Sequence, residues 1–491
     1  MSSLSELPQS ACPVLDALAD YKRTGYLGFT PPGHKQGRGA DPRVVATLGA
    51  DVFKSDVLAT AGLDDRSASG AVIQKAQTLM ARAVGAEHAF FSTCGSSLSV
   101  KSAMLAVAGP GQSLLIGRDA HKSVISGLVI AGIEPIWVQP RWDAELHLAH
   151  PPSPESVERA WAAHPDAAGL LITSPTPYGT CADLAAVVEI CHRRGKPVIV
   201  DEAWGAHLPF SDELPTWAMD AGADVCVVSV HKMGAGLEQG SVFHLQGKLV
   251  DPTRLMECED LLATTSSNVL LYAAMDGWRR QMVEQGAQLL GSALALARRT
   301  RERIEGIPGL HVLESELLGA AASHDLDRLQ ILIDLRQLGI SGYQAADWLR
   351  AEQRINMGMS DHRRIGAQFT FADSDDTADA LVHALGSLAE ASAALAPARP
   401  IMLPDPSAFE VEPAMLPREA FFAPAVEIPA EQSVGRVSIE QITPYPPGIP
   451  ALLPGERINE QVLDYLTSGI TAGMVIPDSA DPELKTVRVV R

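Results

Sequence analysis

The sequence predicts an α/β fold, a mainly parallel sheet covered by helices and followed by smaller α+β domains. Two observations carry this expectation. Short apolar runs alternate with helix-length segments between about residues 87 and 245, the pattern of strands joined by helical crossovers. The residues with reactive or anion-gripping chemistry, Gly95, His121, Ser174, Asp201 and Lys232, fall just after such runs. In parallel sheets, ligands collect at the carboxyl ends of strands.

With 491 residues, 46% of them hydrophobic and 20% charged, the chain can build cores for two or three domains. Its 39 basic and 59 acidic residues leave a net charge of −20, which disfavours nucleic acid as a partner and mildly favours cationic small molecules. Cys12, Cys94, Cys181, Cys191, Cys226 and Cys258 form no CxxC pair, so neither a metal site nor a disulfide framework is expected. The N-terminus lacks a basic segment followed by an apolar core, and no apolar run is long enough to span a bilayer. A cytoplasmic location without a membrane partner is therefore expected.

Pro13 to Arg23 reads as a short amphipathic helix. The Gly/Pro-rich stretch from Phe29 to Gly39 follows, and its His34 and Lys35 could reach an active site, its own or a partner subunit's. Helical periodicity covers Gln74 to Ala86; Glu87 to Ser92 is a strand that runs through Cys94-Gly-Ser-Ser into a helix over Leu98 to Ala108. Gly95, Ser96 and Ser97 thus stand at a helix N-terminus, where free backbone N–H groups, the helix dipole and two hydroxyls make a phosphate cradle. Next come a strand from Ser113 to His121, a strand over Glu134 to Val138, a helix over Pro154 to Ala163, a strand from Gly169 towards Ser174, and a helix over Leu184 to Arg194. Two apolar strands then lead to Asp201 and to Lys232, and Gly240 to Gly247 is one more strand.

A long helix from Leu270 to about Arg303 carries the boundary to a small α+β domain. There, Leu329 to Leu335 and Phe369-Thr-Phe read as strands, and Gly342 to Ala351 and Asp375 to Ala394 as helices. A Pro/Ala linker precedes a last module, with a strand-like Val434 to Glu440 and a proline-dense Thr443 to Glu456 that suits the wall of a binding site. The expected organisation is an arm at 1–45, a large domain at 46–270, a small domain at 271–395, a linker at 396–410 and a C-terminal domain at 411–491.

Asp201 and Lys232, at neighbouring strand ends, are what a pyridoxal 5'-phosphate (PLP) site needs: an amine for the Schiff base and a carboxylate to keep the pyridine nitrogen protonated. Pro32-Gly-His-Lys-Gln-Gly, Gly62-Leu-Asp-Asp, Cys94-Gly-Ser-Ser, Asp119-Ala-His-Lys-Ser, Asp201-Glu-Ala-Trp-Gly-Ala-His, Ser229-Val-His-Lys, Pro444-Tyr-Pro-Pro-Gly-Ile-Pro and Pro454-Gly-Glu occur in this order. Together they resemble the Orn/Lys/Arg decarboxylases, fold-type I, aspartate aminotransferase-like PLP enzymes, in the short form without an N-terminal wing domain.

The resemblance implies decarboxylation of arginine, lysine, ornithine or a modified relative to the amine and CO2, as in polyamine biosynthesis. It implies Lys232 as the Schiff-base lysine, Asp201 on the pyridine nitrogen, His121 and Ala203 on the two ring faces, and His207 near the site. Gly95, Ser96, Ser97, Ser229 and His231 would hold the phosphate, with Thr264 supplied by the neighbouring subunit of a homodimer with shared active sites. Lys232 or His231 would return a proton to Cα. A basic substrate side chain needs a carboxylate, and Glu440 is expected there, with Asp56 and Asp65 as alternatives. An aminotransferase or oxidative PLP enzyme on the same scaffold is the second reading. The chain departs from the family's usual residues at Leu98, Arg66-Ser67, Asn268 and Ile355-Asn-Met-Gly-Met, which touches substrate choice more than phosphate binding.

Overall fold

The computed structural model describes residues 7–59, 63, 71–404, 413–445 and 448–491. Asp65, with Gly62, Asp64 and the Arg66-Ser67 step, and the Pro446-Pro447 pair lie outside the described residues. The chain divides into two compact units, one of Met1–Ala106, Pro197–Asp212 and Thr216–Gln288, the other of Val107–Lys196, Glu213–Pro215 and Leu289–Arg491. The strands of the alternating region are β1 (His88–Ser92), β2 (Ser113–Gly117), β3 (Glu134–Val138), β4 (Leu170–Thr173), β5 (Val198–Asp201), β6 (Val225–Ser229) and β7 (Ser241–Leu245). The helices used below are α1 (Pro13–Thr24), α2 (Ser96–Val107), α3 (Lys122–Ala131) and α4 (Val269–Glu305).

In the first unit β5 and β6 run parallel, while β7 lies antiparallel to both β6 and β1. Every residue of β5, β6 and β7 is buried, which is why they read as unbroken apolar runs rather than alternating ones. The reversal at β7 follows from its connection. Only one helical turn, Val230–Met233, and a short loop separate it from β6, too little chain for a parallel crossover.

In the second unit β2 lies between β4 and β3 and is parallel to both. The small antiparallel sheet contains β8 (His311–Leu313), β9 (Gln330–Asp334), β10 (Met359–Ser360) and β11 (Arg364–Gln368), in the order β8-β9-β11-β10. The strand expected at Phe369-Thr-Phe ends at Gln368, and Phe369 instead turns its N–H to the Leu329 carbonyl at 2.8 Å. Near the C-terminus, β12 (Ala425–Pro429) pairs antiparallel with β13 (Thr486–Val490) over a core that includes Ile442, Leu452, Ile458, Leu466 and Val489. Val434 to Glu440 is not a strand: Gly435 sits at φ +80°, and the segment pairs only through single bridges at Val437 and Ser438.

The arm helix α1 is fastened to α4 by a buried polar knot. Asp276 accepts the Val14 N–H at 2.8 Å and pairs with Arg279 at 3.0 Å, and Arg279 also reaches the carbonyls of Gln9 and Ala11. Both charged side chains are fully buried. No described helix is long and apolar enough to cross a membrane. Removing one member of a buried ion pair leaves an uncompensated charge, so Asp276→Ala is expected to destabilise the protein by about 3–5 kcal/mol. Urea unfolding measures this, and Asp276→Asn, which keeps one acceptor, should lose less.

Candidate active site

The site is built from strand ends of the first unit. Asp201 is the last residue of β5 and is 3% exposed. Its Oδ1 accepts the Ala203 N–H at 3.3 Å, which turns the chain sharply at the end of the strand. Lys232 stands on the helical turn Val230–Met233 that follows β6, so it lies three residues past the strand end. That turn closes through the Gly234 N–H on the Val230 carbonyl at 2.9 Å. A Cβ at Gly234 would lie 2.7 Å from both that carbonyl oxygen and the Trp278 ring, so only glycine fits there.

Burial dominates the electrostatics of the pair. It pushes the Lys232 amine below its ordinary value and the Asp201 carboxyl above its own, while the charge of each pulls the other back. The Lys232 Nζ lies 4.3 Å from the centre of the Trp204 ring, whose face attracts an ammonium. Trp204 was legible in the Asp201-Glu-Ala-Trp motif, but nothing in its spacing gave it this task. Beneath lies a second acid that sequence reasoning missed: Glu202 is fully buried, accepts the Cys226 thiol at 3.0 Å and the Ala218 N–H at 3.3 Å, and is held well above the carboxylate range by burial.

A cradle lies at the start of α2. Gly95, at φ +76°, donates to the Gln239 carbonyl at 3.0 Å and accepts from Leu98, so the helix begins at Ser96. The Ser229 hydroxyl donates to Ser96 Oγ at 2.7 Å, tying the end of β6 to the helix start. Ser97 follows in the first turn, where helix N–H groups lack intrahelical partners. Two hydroxyls and unpaired N–H groups around one point suit a phosphate. His231 is half-buried, with Nδ1 3.3 Å from the Gly240 carbonyl and its ring pushed below the usual value by burial. Ala203 and His207 are buried, and Thr264 is exposed with its hydroxyl 3.1 Å from that of Ser266.

Other expected residues are engaged elsewhere. His34 hydrogen-bonds Asp56, just beyond the arm, at 3.1 Å, and Lys35 the Thr30 carbonyl within the arm at 2.5 Å. In the second unit His121 is not on strand β2 but caps α3, its Nδ1 taking the Ser123 N–H at 3.2 Å. Glu440, expected beside a basic substrate, is instead a structural acceptor. Its two oxygens take the backbone N–H groups of Ala480 at 2.9 Å and Arg488 at 2.8 Å, fastening the C-terminal strand.

The fold places the chain among fold-type I enzymes. The solved constitutive lysine decarboxylase of E. coli superposes with a TM-score of 0.81 at 21% identity, covering 98% of this chain and 82% of that one. The sequence narrows the class. Residues 12–335 match the Orn/Lys/Arg decarboxylase major domain and residues 406–477 the C-terminal domain of the same family. Arginine decarboxylase from Halalkalibacterium halodurans is 37% identical over 484 residues, covering 98% of each chain. Arginine decarboxylase from Bacillus subtilis is 37% identical over 488 residues, covering 99% of each. The chain belongs to the Orn/Lys/Arg decarboxylase family.

Two outcomes follow from the site. Asp201 is the charge that raises Lys232, so Asp201→Asn should let the amine lose its proton at lower pH, and acetic anhydride should label Lys232 of the cofactor-free protein faster near neutrality, as read by peptide mass spectrometry. Glu440→Ala should cost about 1 kcal/mol of stability, from two part-buried backbone N–H groups that lose their acceptor, and leave discrimination among arginine, lysine and ornithine unchanged.

Proposed function

We propose that this chain is a PLP-dependent arginine decarboxylase acting as a homodimer. The observation that carries the reading is the buried Asp201 and the half-buried, desolvated Lys232 beside the Ser96 and Ser229 hydroxyls, in a chain 37% identical to arginine decarboxylases over nearly its whole length. The donor set fits the cofactor: a desolvated amine for its aldehyde, a desolvated carboxylate for its ring nitrogen, and two hydroxyls at a helix start for its phosphate. When bound, PLP supplies an electron sink for the pair of electrons left at Cα as CO2 departs.

The chain's own residues do the rest. Lys232, held below its ordinary value, offers a neutral amine as nucleophile. Asp201 keeps a proton on the ring nitrogen, because a buried carboxylate gains from an adjacent positive charge. Ser96, Ser97 and Ser229 orient the phosphate, with His231 beside them. Breaking the bond from Cα to the carboxylate leaves Cα to be protonated, and Lys232 and His231 are the acids on the same turn. Thr264, exposed on this chain, completes the phosphate site of a partner subunit. Arginine is favoured over lysine and ornithine by the names of the 37% identical relatives.

Incubation of the holoenzyme with L-arginine, L-lysine and L-ornithine, followed by mass spectrometry, is expected to give agmatine and CO2 from arginine with little amine from the other two. Lys232→Ala should abolish turnover and the visible absorbance of bound cofactor while the far-UV spectrum stays that of a folded protein. A keto acid in place of agmatine would overturn the reading.

A further inference from the structure

The second unit holds a partly open cavity of about 230 Å³, larger than the roughly 150 Å³ that accommodates benzene. Its walls are mostly aromatic and apolar, with Trp142, Tyr178, Tyr343 and Tyr465 among them. Among the described residues, the charged groups that line it are compensated within the protein, with one exception. Arg118 pairs with Glu456 at 3.4 Å and donates to the Pro450 carbonyl at 2.8 Å. Asp361 holds Arg364 at 2.9 Å and accepts the backbone N–H groups of Arg363 and Arg364 and the Tyr178 hydroxyl. Burial and the nearby arginine charges push His147 down to about 4, and burial also lowers His362, so neither ring is charged at neutral pH.

Asp119 is the exception. It is 4% exposed, and among the described residues no other residue hydrogen-bonds either carboxylate oxygen, which meet only Asp119's own backbone N–H. Burial alone pushes it up to about 7, because no cation stands by it. A buried carboxylate left in this state is costly unless something outside the chain completes it.

We propose that this cavity binds a small aliphatic amine or guanidine that carries no carboxylate, its cationic head on Asp119 and its chain between Trp142 and the tyrosines. The lack of a carboxylate on the ligand follows from the charge inventory. Among the described residues the lining offers one uncompensated anion and no uncompensated cation, so an intact amino acid would set its own carboxylate against Asp119 and Asp361 with nothing to neutralise it. Aromatic faces add to the hold on a desolvated cation. The decarboxylated products of arginine, lysine and ornithine have this chemistry, and only that choice of source rests on the proposed function.

Trp142 lines the cavity and reports on it. In holoenzyme labelled with 5-fluorotryptophan, its 19F resonance is assigned by its absence in Trp142→Phe. Agmatine, 1,5-diaminopentane and 1,4-diaminobutane are titrated in separate arms, which ranks the three sources. At least one is expected to shift the resonance saturably. 4-Guanidinobutyrate, which keeps the guanidinium but adds a carboxylate, should bind at least tenfold more weakly than agmatine. Asp119→Asn should weaken the binding at least tenfold, and Ala149→Phe, which fills the cavity from another wall, should abolish it. No shift with any of the three amines, an equal response to 4-guanidinobutyrate, or a shift unchanged in folded Asp119→Asn would overturn the proposal. A saturable, Asp119-dependent shift in a protein that releases no CO2 would leave the cavity site standing and remove the decarboxylase reading. Full decarboxylase activity without a shift would do the reverse.

Discussion

The rest of the first unit is arranged around two opposite charges kept away from water. Moving either Asp201 or Lys232 out of solvent costs several kcal/mol, and their mutual attraction only partly offsets that, as the directions of both shifts show. Apolar residues of similar size would make a more stable core at this spot. A pair retained at such a cost, at the ends of two wholly buried strands, points to chemistry rather than to folding. The strands supply rigidity. Val198 to Asp201 and Val225 to Ser229 run parallel in register, so the positions of the acid and of the turn bearing the amine are set by backbone hydrogen bonds rather than by flexible loops.

Around that pair the packing is close enough to dictate small residues. At Gly205 a Cβ would lie 2.4 Å from the Glu202 side chain, as at Gly234 it would meet Trp278. Beneath the strand ends, Ser99 and Ser241 share a hydrogen bond at 3.0 Å, and Glu202 holds Cys226. These buried polar links tie the start of α2 and strands β5, β6 and β7 into one floor. The two glycines in the Lys232 and Asp201 motifs thus reflect close packing of side chains against backbone more than conformational freedom.

Much of this was legible in the sequence. Fully buried strands give unbroken apolar runs, and the elements from Pro13 through Arg194 fall within a few residues of where periodicity puts them. Reading failed where the deciding contact is far away in the chain. Val434 to Glu440 has the composition of a strand, but Gly435 at φ +80° breaks the extended backbone, and the segment touches β13 only through the single bridge of Ser438 to Val489. Glu440 looked free because its partners, the N–H groups of Ala480 and Arg488, are 40 and 48 residues away. Asp119 stood in a recognised motif, yet its isolation became visible only once the neighbouring charges were seen to be paired off.

The proline-dense C-terminal segment, read from sequence as the wall of a binding site, has a further task that follows from where its charges go. Arg118 and Lys122, which flank Asp119 and His121 in the chain, are both anchored in the C-terminal region: Arg118 to Glu456 and the Pro450 carbonyl of that segment, and Lys122 to Asp478 beyond it at 2.8 Å. The Lys122 N–H also donates to the Gly448 carbonyl at 3.3 Å. Gly448 itself sits at φ +92°, and a Cβ there would lie 3.3 Å from the His121 ring, so the glycine of Pro444-Tyr-Pro-Pro-Gly-Ile-Pro lets backbone approach imidazole closely. Two ion pairs, one buried, thus clamp the short loop between β2 and α3 against a segment more than 300 residues further along. Glu456 is raised by burial and lowered by the Arg118 charge and by the Leu453 N–H that it accepts at 2.9 Å, the balance expected of a buried carboxylate compensated within the protein. The position of His121 is therefore set by the C-terminal region, which explains in physical terms why two motifs so distant in sequence occur together in one chain.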